Sequence, residues 1–294
     1  MAEVATMSTR PAHVVVIGID GAGYDTVVEV DTPHLDAMAT TGFRRPVQVH
    51  PEVPTISGPS WATMVTGVLP RTHRIYDNDL SGHALAANPD FVHLARQSRP
   101  DLQTFIGADW QPLVTEHSGG PLFADGGYLP DCRRGEEAEP TDWHRADQLV
   151  TDAASTFLAG LDGRRGSASF VYLHGCDTAG HRTGVSERYR ELVRASDERV
   201  GQLLRAIEAR PSRTEEDWVI IAATDHGHRP EGGHGGDSAA ERTAWIAAQG
   251  TGVPAGPPAE LELADVAGHA FEVLGLTPRT DHFIGVPFGM RQPG

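Results

Sequence analysis

The chain has 294 residues, with 24 Lys plus Arg against 40 Asp plus Glu, so its formal charge is −16. That balance argues against an electrostatic grip on nucleic acid or an anionic membrane; a small anionic substrate stays open, because a bound metal ion reverses the field locally. A composition of 39% hydrophobic and 22% charged residues belongs to a folded chain with a sizeable core, and the length accommodates one large or two small domains.

The opening stretch MAEVATMSTRPAH has no apolar run of signal-peptide length, and no segment approaches the ~18 continuous apolar residues of a membrane span. A cytoplasmic location without a membrane partner is therefore expected. His13 to Asp20 (HVVVIGID) is a continuous β-branched run ending in an acid, the pattern of a central parallel strand. Ser60 to Gly67 reads as a short helix entered through Pro59. Thr104 to Ala108 is a weaker strand, and Asp109 to Pro140 is Gly-, Pro- and acid-rich without periodicity, a cap-like surface excursion. Arg145 to Leu161 has helical spacing, Ser169 to Leu173 reads as a strand, and Val185 to Arg210 as a long helix stopped by Pro211. Trp218 to Ala222 and, more weakly, Thr243 to Ala247 read as strands; Gly250 to Pro258 is a loop, and Leu263 to Leu274 a last helix. Strands alternating with helices predict an α/β sandwich with a mostly parallel sheet, formed by one domain over residues 1–294 with 109–140 as an insertion. Cys132 and Cys176 are too few for a disulfide framework or a zinc knuckle.

Three strand-like runs end in potential ligands. The first ends at Asp20, the second leads into Asp177-x-x-x-His181, and the third into Asp225-His226, with His234 following in a Gly-rich stretch. Ligands in parallel α/β sheets bind beyond the carboxyl ends of strands, so these groups converge on one sheet edge. Carboxylate plus imidazole suits zinc, with manganese or iron as substitutes. Each piece alone has a plainer reading as a cap, a turn or a surface pair. Ser57 stands at a helix entrance, where free N–H groups and the helix dipole favour an anion; a plain N-cap is the alternative.

Taken together, these residues resemble the alkaline phosphatase superfamily, most closely its nucleotide pyrophosphatase/phosphodiesterase branch. The resemblance is carried in order by Asp20, Pro54-Thr55-x-Ser57-x-Pro59-Ser60, Thr66-Gly67-x-x-Pro70-x-x-His73, Asp77-Asn78, Asp177-x-x-x-His181, Asp225-His226-Gly227 and Gly233-His234-Gly235. It implies an alkaline phosphatase-like three-layer sandwich and two divalent ions, usually zinc, roughly 4 Å apart. Asp177, His181 and His234 would hold one ion; Asp20, Asp225 and His226 the other, with Ser57 as nucleophile and ligand. The implied activity is hydrolysis of a small phosphate ester, nucleotide-like or a sugar phosphate, through a phosphoseryl intermediate.

Two departures stand out. The branch carries Thr as nucleophile and Asn three residues on, a phosphoryl contact; here the positions are Ser57 and Ser60. Sulfatases, like phosphonate hydrolases a neighbouring reading, carry Arg where this chain has Trp61. A metal-binding scaffold without turnover is the alternative outside enzymes. Among weaker candidates, Asp237 is read as an acceptor for the free N–H of His234 or as a turn cap. His228 is read as a solvated loop histidine in preference to a group behind the metal ligands. Trp110, His117 and Trp143 are read as cap packing or as platforms for a base or sugar, and Arg71 and Arg74 as surface pairs or phosphate contacts.

Overall fold

The computed structural model describes residues 10–133 and 138–291. In chain order the first half comprises β1 (Ala12–Ile19), α1 (Tyr24–Glu29), α2 (Pro33–Thr41), β2 (Phe43–Gln48), α3 (Ser57–Thr66), α4 (Pro70–His73), α5 (Phe91–Ser98), β3 (Gln103–Ala108) and α6 (Gln111–Val114). There follow α7 (Pro140–Gly160), β4 (Ser167–Leu173), α8 (Gly175–Thr183), α9 (Glu187–Glu208), β5 (Asp217–Thr224), α10 (Ala239–Arg242), β6 (Thr243–Gly250) and α11 (Asp265–Leu274).

The six strands form one sheet in the order β2-β6-β5-β1-β4-β3. The β-branched run of β1 lies between β4 and β5, parallel to both, with Val16 opposite Phe170 and Ile221. Side chains alternate between the faces, as the pleat requires. Val14 and Val16 pack with α3, α5 and α11 in one core. Val15, Ile17 and Ile19 pack with α1, α2, α7, α8 and α9 in the other. The result is a three-layer α/β sandwich, with the mostly parallel sheet as its middle layer. Each fully buried Val or Ile of β1 contributes about 1.5–3 kcal/mol relative to exposure.

Gly18 lets the outer layer close onto the sheet. A Cβ there would lie 2.6 Å from the Trp61 ring, so only hydrogen leaves room for that indole. This contact brings the N-terminus of α3 against the end of β1.

Several elements differ from their expected form. β6 is antiparallel to β5, and β2 pairs antiparallel with β6 at the edge. The β2 segment, FRRPVQ, has no clean alternation and contains Pro46, which is tolerated on an edge strand. α3 starts at Ser57, three residues before the expected start, so Ser57 is the first helical residue and Ile56 the cap. α7 begins at Pro140 because Glu139 and Asp142 form a capping box. Within the irregular excursion, the described residues form α6, a 3-10 turn at His117–Gly119 and a lone bridge from Gly107 to Tyr128. Among the described residues, no helix is long and apolar enough to cross a membrane.

Candidate active site

The parallel strands deliver their ends to one edge. β1 ends before Asp20, β5 before Asp225 and His226, and β4 before His174. α8 follows β4 and carries Asp177 and His181 four residues apart, hence on one face. The loop from β5 to α10 supplies His228 and His234, and α3 supplies Ser57.

Four overlapping groups of potential ligands result, and in each the donor atoms lie within 4.8 Å of one another. Asp20, Asp225 and His226 form one and Asp177, His181 and His234 a second; Asp177 with His226 and His228, and Asp20 with His174 and Asp177, overlap them. Nε2 of His226 is 3.2 Å from Asp225 Oδ2 and 3.6 Å from Asp20 Oδ1. In the second group Asp177 lies 3.5 Å from Nε2 of His181 and 3.3 Å from that of His234. Ser57 Oγ sits at the first group, 3.5 Å from Asp20 Oδ1 and 3.4 Å from Nε2 of His226. The ring centroids of His226 and His234 are 3.8 Å apart, so the groups are contiguous.

The donor set fits divalent cations. The Nδ1 of His234 donates to the Thr55 carbonyl at 2.7 Å, and that of His226 to the Gly227 carbonyl at 3.2 Å. Each bond leaves Nε2 as the ligand atom. Burial, reinforced by Asp177, raises the Asp20 carboxyl above its ordinary range; burial and Asp20 raise Asp225 well above it. Burial alone would raise Asp177 too, but hydrogen bonds from His228 and His234 hold it well below. Burial opposes the charged form of His234, yet its bond to Asp177 lifts it to about 9. His226 is pushed well below its usual value by burial and by the charge of His234. Asp225 Oδ2 is buried and finds no hydrogen-bond donor among the described residues. Three carboxylates packed together, one with an oxygen lacking a donor, are what a cation pair compensates.

Several expectations need correction. Ser60 is fully buried and its hydroxyl donates to the Pro54 carbonyl at 3.1 Å, so it is turned away from the cleft. The amide beside the nucleophile belongs to Asn78, whose Oδ1 accepts from the Gly58 N–H at 2.8 Å. Asp237 does not reach His234; it is exposed and pairs with Arg242 at 2.6 Å, and the Thr55 carbonyl holds the His234 ring instead. His228 is not solvated. It is 3% exposed, and its Nε2 donates to Asp177 Oδ1 at 3.0 Å. Arg71 pairs with Glu52, away from the cleft. His73 is buried, accepting from the Ile75 N–H and bonding Thr63 Oγ1 through Nε2, so it pins the end of α3.

Three residues went unassigned in the sequence. The indole of Trp61 donates to Asp20 Oδ2 at 3.0 Å, and the Tyr172 hydroxyl donates to the same oxygen. His174 bonds Tyr172 at 2.9 Å through Nδ1. Its place directly after a buried strand, like that of Asp20, was the available signal. A cleft of about 640 Å³ opens over the site, lined by Ser57, Asn78, Trp110, Trp143, His174 and Arg182 among others.

The fold and this paired cluster define a metal-dependent hydrolase of the alkaline phosphatase type. The sequence model of the type I phosphodiesterase / nucleotide pyrophosphatase family matches residues 14–284, and the chain belongs to that family, whose members hydrolyse phosphodiester bonds. No curated protein matches the chain. Among solved structures, murine ectonucleotide pyrophosphatase / phosphodiesterase 5, as an inactive variant in complex with AMP, is similar at 15% identity and a TM-score of 0.66, over 91% of this chain and 96% of that one. A 2-O GAG sulfatase is similar at 13% identity and a TM-score of 0.69, over 95% and 73%. A protein in complex with its substrate D-glucosamine-2-N,6-O-disulfate is similar at 14% identity and a TM-score of 0.68, over 95% and 79%. At these identities the likeness is one of fold.

Proposed function

We propose that the chain hydrolyses a small phosphate ester, a diester or a monoester, by attack of Ser57 Oγ on phosphorus. The observation that carries this reading is the position of Ser57: first residue of α3, on the cleft wall, within 3.5 Å of both Asp20 and His226. The P–Oγ bond forms as the bond to the leaving oxygen breaks; water then attacks the phosphoserine, freeing phosphate or its monoester and restoring the hydroxyl. Asp20, Asp225 and His226 would hold one divalent cation and Asp177, His181 and His234 a second, zinc by resemblance, supplying Lewis acidity and charge neutralisation. The Gly58 bond fixes the Asn78 amide with Oδ1 inward, leaving its NH2 as the donor for a phosphoryl oxygen. Trp61 and Tyr172 hold Asp20 in place by donating to one of its oxygens.

Ser57→Ala should lower turnover of a phosphodiester panel by at least about 1,000-fold while zinc content is unchanged. Retained turnover would show that another group is the nucleophile. A sulfatase needs Ser57 converted to formylglycine, and intact-mass measurement detects that conversion. The position that carries Arg in sulfatases is Trp61, committed here to Asp20.

A further inference from the structure

The two carboxylates of the Asp20 group each present a single oxygen to it. Asp20 Oδ2 is taken: the Trp61 indole donates to it at 3.0 Å, and the Tyr172 hydroxyl donates to the same atom. His174 Nδ1, 4.0 Å from that oxygen, bonds the Tyr172 hydroxyl instead, at 2.9 Å. Asp225 Oδ1 is taken as well, by the backbone N–H of Gly21 at 3.2 Å. An indole N–H and a backbone N–H are donors at every pH, so neither closure depends on how a group titrates. What remains are Asp20 Oδ1, Asp225 Oδ2, Nε2 of His226 and Ser57 Oγ, each a donor of one atom.

The measured spacings among these atoms run from 3.2 to 3.6 Å. The corners of a tetrahedron around an ion with bonds of ~2.0–2.1 Å stand about 3.3–3.4 Å apart. The corners of an octahedron with bonds of that length stand about 2.9 Å apart. The group therefore suits an ion content with four ligands and is short of donors for one that gathers six oxygens. Asp177 has no closed side of this kind: its Oδ1 lies 3.3 Å from His234 and its Oδ2 3.5 Å from His181, so both oxygens face members of its own group. Trp61 and Tyr172 are themselves fully buried and meet edge to face at a centroid distance of 5.4 Å, so neither is free to follow a turning carboxylate.

We propose that Trp61 and Tyr172 are positioning residues that set which ion the Asp20 group accepts. By closing Asp20 Oδ2 they hold the carboxylate to ligation through one oxygen, which favours zinc over an ion that gathers six oxygen donors, such as manganese. This rests on the metal assignment in the hydrolase reading above and adds to it the residues that select the ion.

The test reads metal binding without turnover. His181→Ala protein keeps the Asp20 group complete and serves as the background. It is dialysed against chelator-buffered zinc and a fixed excess of manganese, and bound ions are counted by elemental analysis. Tyr172→Phe removes one hydroxyl and no packing; in this background it should lower the preference for zinc over manganese at least about threefold. Trp61→Phe, which removes the indole N–H, should do the same, and the two together should lower it about tenfold. A purely structural role would weaken both ions alike and leave the ratio in place. If Tyr172→Phe does not fold, the Trp61→Phe ratio decides. A ratio unmoved or raised would overturn the proposal. A background protein that binds neither ion would show a different failure, that of the metal assignment itself, and would take the proposal with it.

Discussion

Asp177 accepts hydrogen bonds from two imidazoles, His228 and His234, and this pairing decides how the site takes up metal. In the metal-free protein His234 has a pKa of about 9, so it carries a proton at neutral pH. Ligation through Nε2 requires that proton to leave. Zinc uptake should therefore release a proton, and the apparent affinity should rise with pH up to about 9. Calorimetry in buffers of different ionisation enthalpy measures this; uptake without proton release would contradict it. His181→Ala and His234→Ala should each remove one ion from the stoichiometry found by elemental analysis. At this scale the sequence was readable where a candidate ligand ends a buried strand, as with Asp20 and Asp225. It was unreadable where orientation decides. Ser60 and Asp237 lie close to the right residues in sequence, yet one turns to Pro54 and the other to Arg242. His228 looked solvated because burial by the distant α8 leaves no mark on the local sequence.

The helix α8 is the element most closely tied to the site. Its first amides, His174 and Gly175, are held by Asp147 Oδ1 from α7, and its exposed C-terminal end carries His181. Between the two ligands stands Gly180, where a Cβ would lie 2.5 Å from Nε2 of His228. Alanine is the better helix former, so Gly180→Ala should leave helix content intact. It should nevertheless push His228 off Asp177 and weaken zinc binding about 10–100-fold, as losses of partners behind the ligands do. Unchanged affinity in a competition with a chromogenic chelator would show that His228 is not needed to orient Asp177. The major elements were legible because the parallel strands are doubly buried and hence uniformly apolar. β2 was not, since an edge strand bearing Arg44, Arg45 and Pro46 is shaped by its partner β6 more than by its own pattern. The short α1, α2 and α5 likewise have too few turns for periodicity to show.

Across the whole molecule, several buried histidines are neutral for structural reasons. Burial pushes His13 and His269 down to about 4 and His73 to about 3. A folded-state pKa below the unfolded one means that the folded state binds fewer protons, so this stability is present above about pH 6.5 and drains as pH falls towards 3–4. Each group contributes a loss on the order of 2 kcal/mol between about pH 7 and 5. Glu216, buried against Arg210 and Ser212, has a pKa of about 2, and its contribution is lost later, from about 4.5 down to 2. The fall in the urea midpoint of chelated protein from about pH 7 to 5 should shrink when His269 is replaced by Phe; an unchanged pH dependence would show that the burial of this ring does not contribute. The candidate ligands come from the ends of β1 and β5, from α3 and α8, and from the loop between β5 and α10, stretches of chain that are far apart in sequence. That loop is tied to the body by His234 and by the exchange of Thr55 with Gly235 and Gly236. Bound ions would therefore act as removable cross-links, and metal supply would set how long the chain survives proteases. Chelation should open residues 229–237 to a broad-specificity protease well before the sheet is cut, and zinc should close them again.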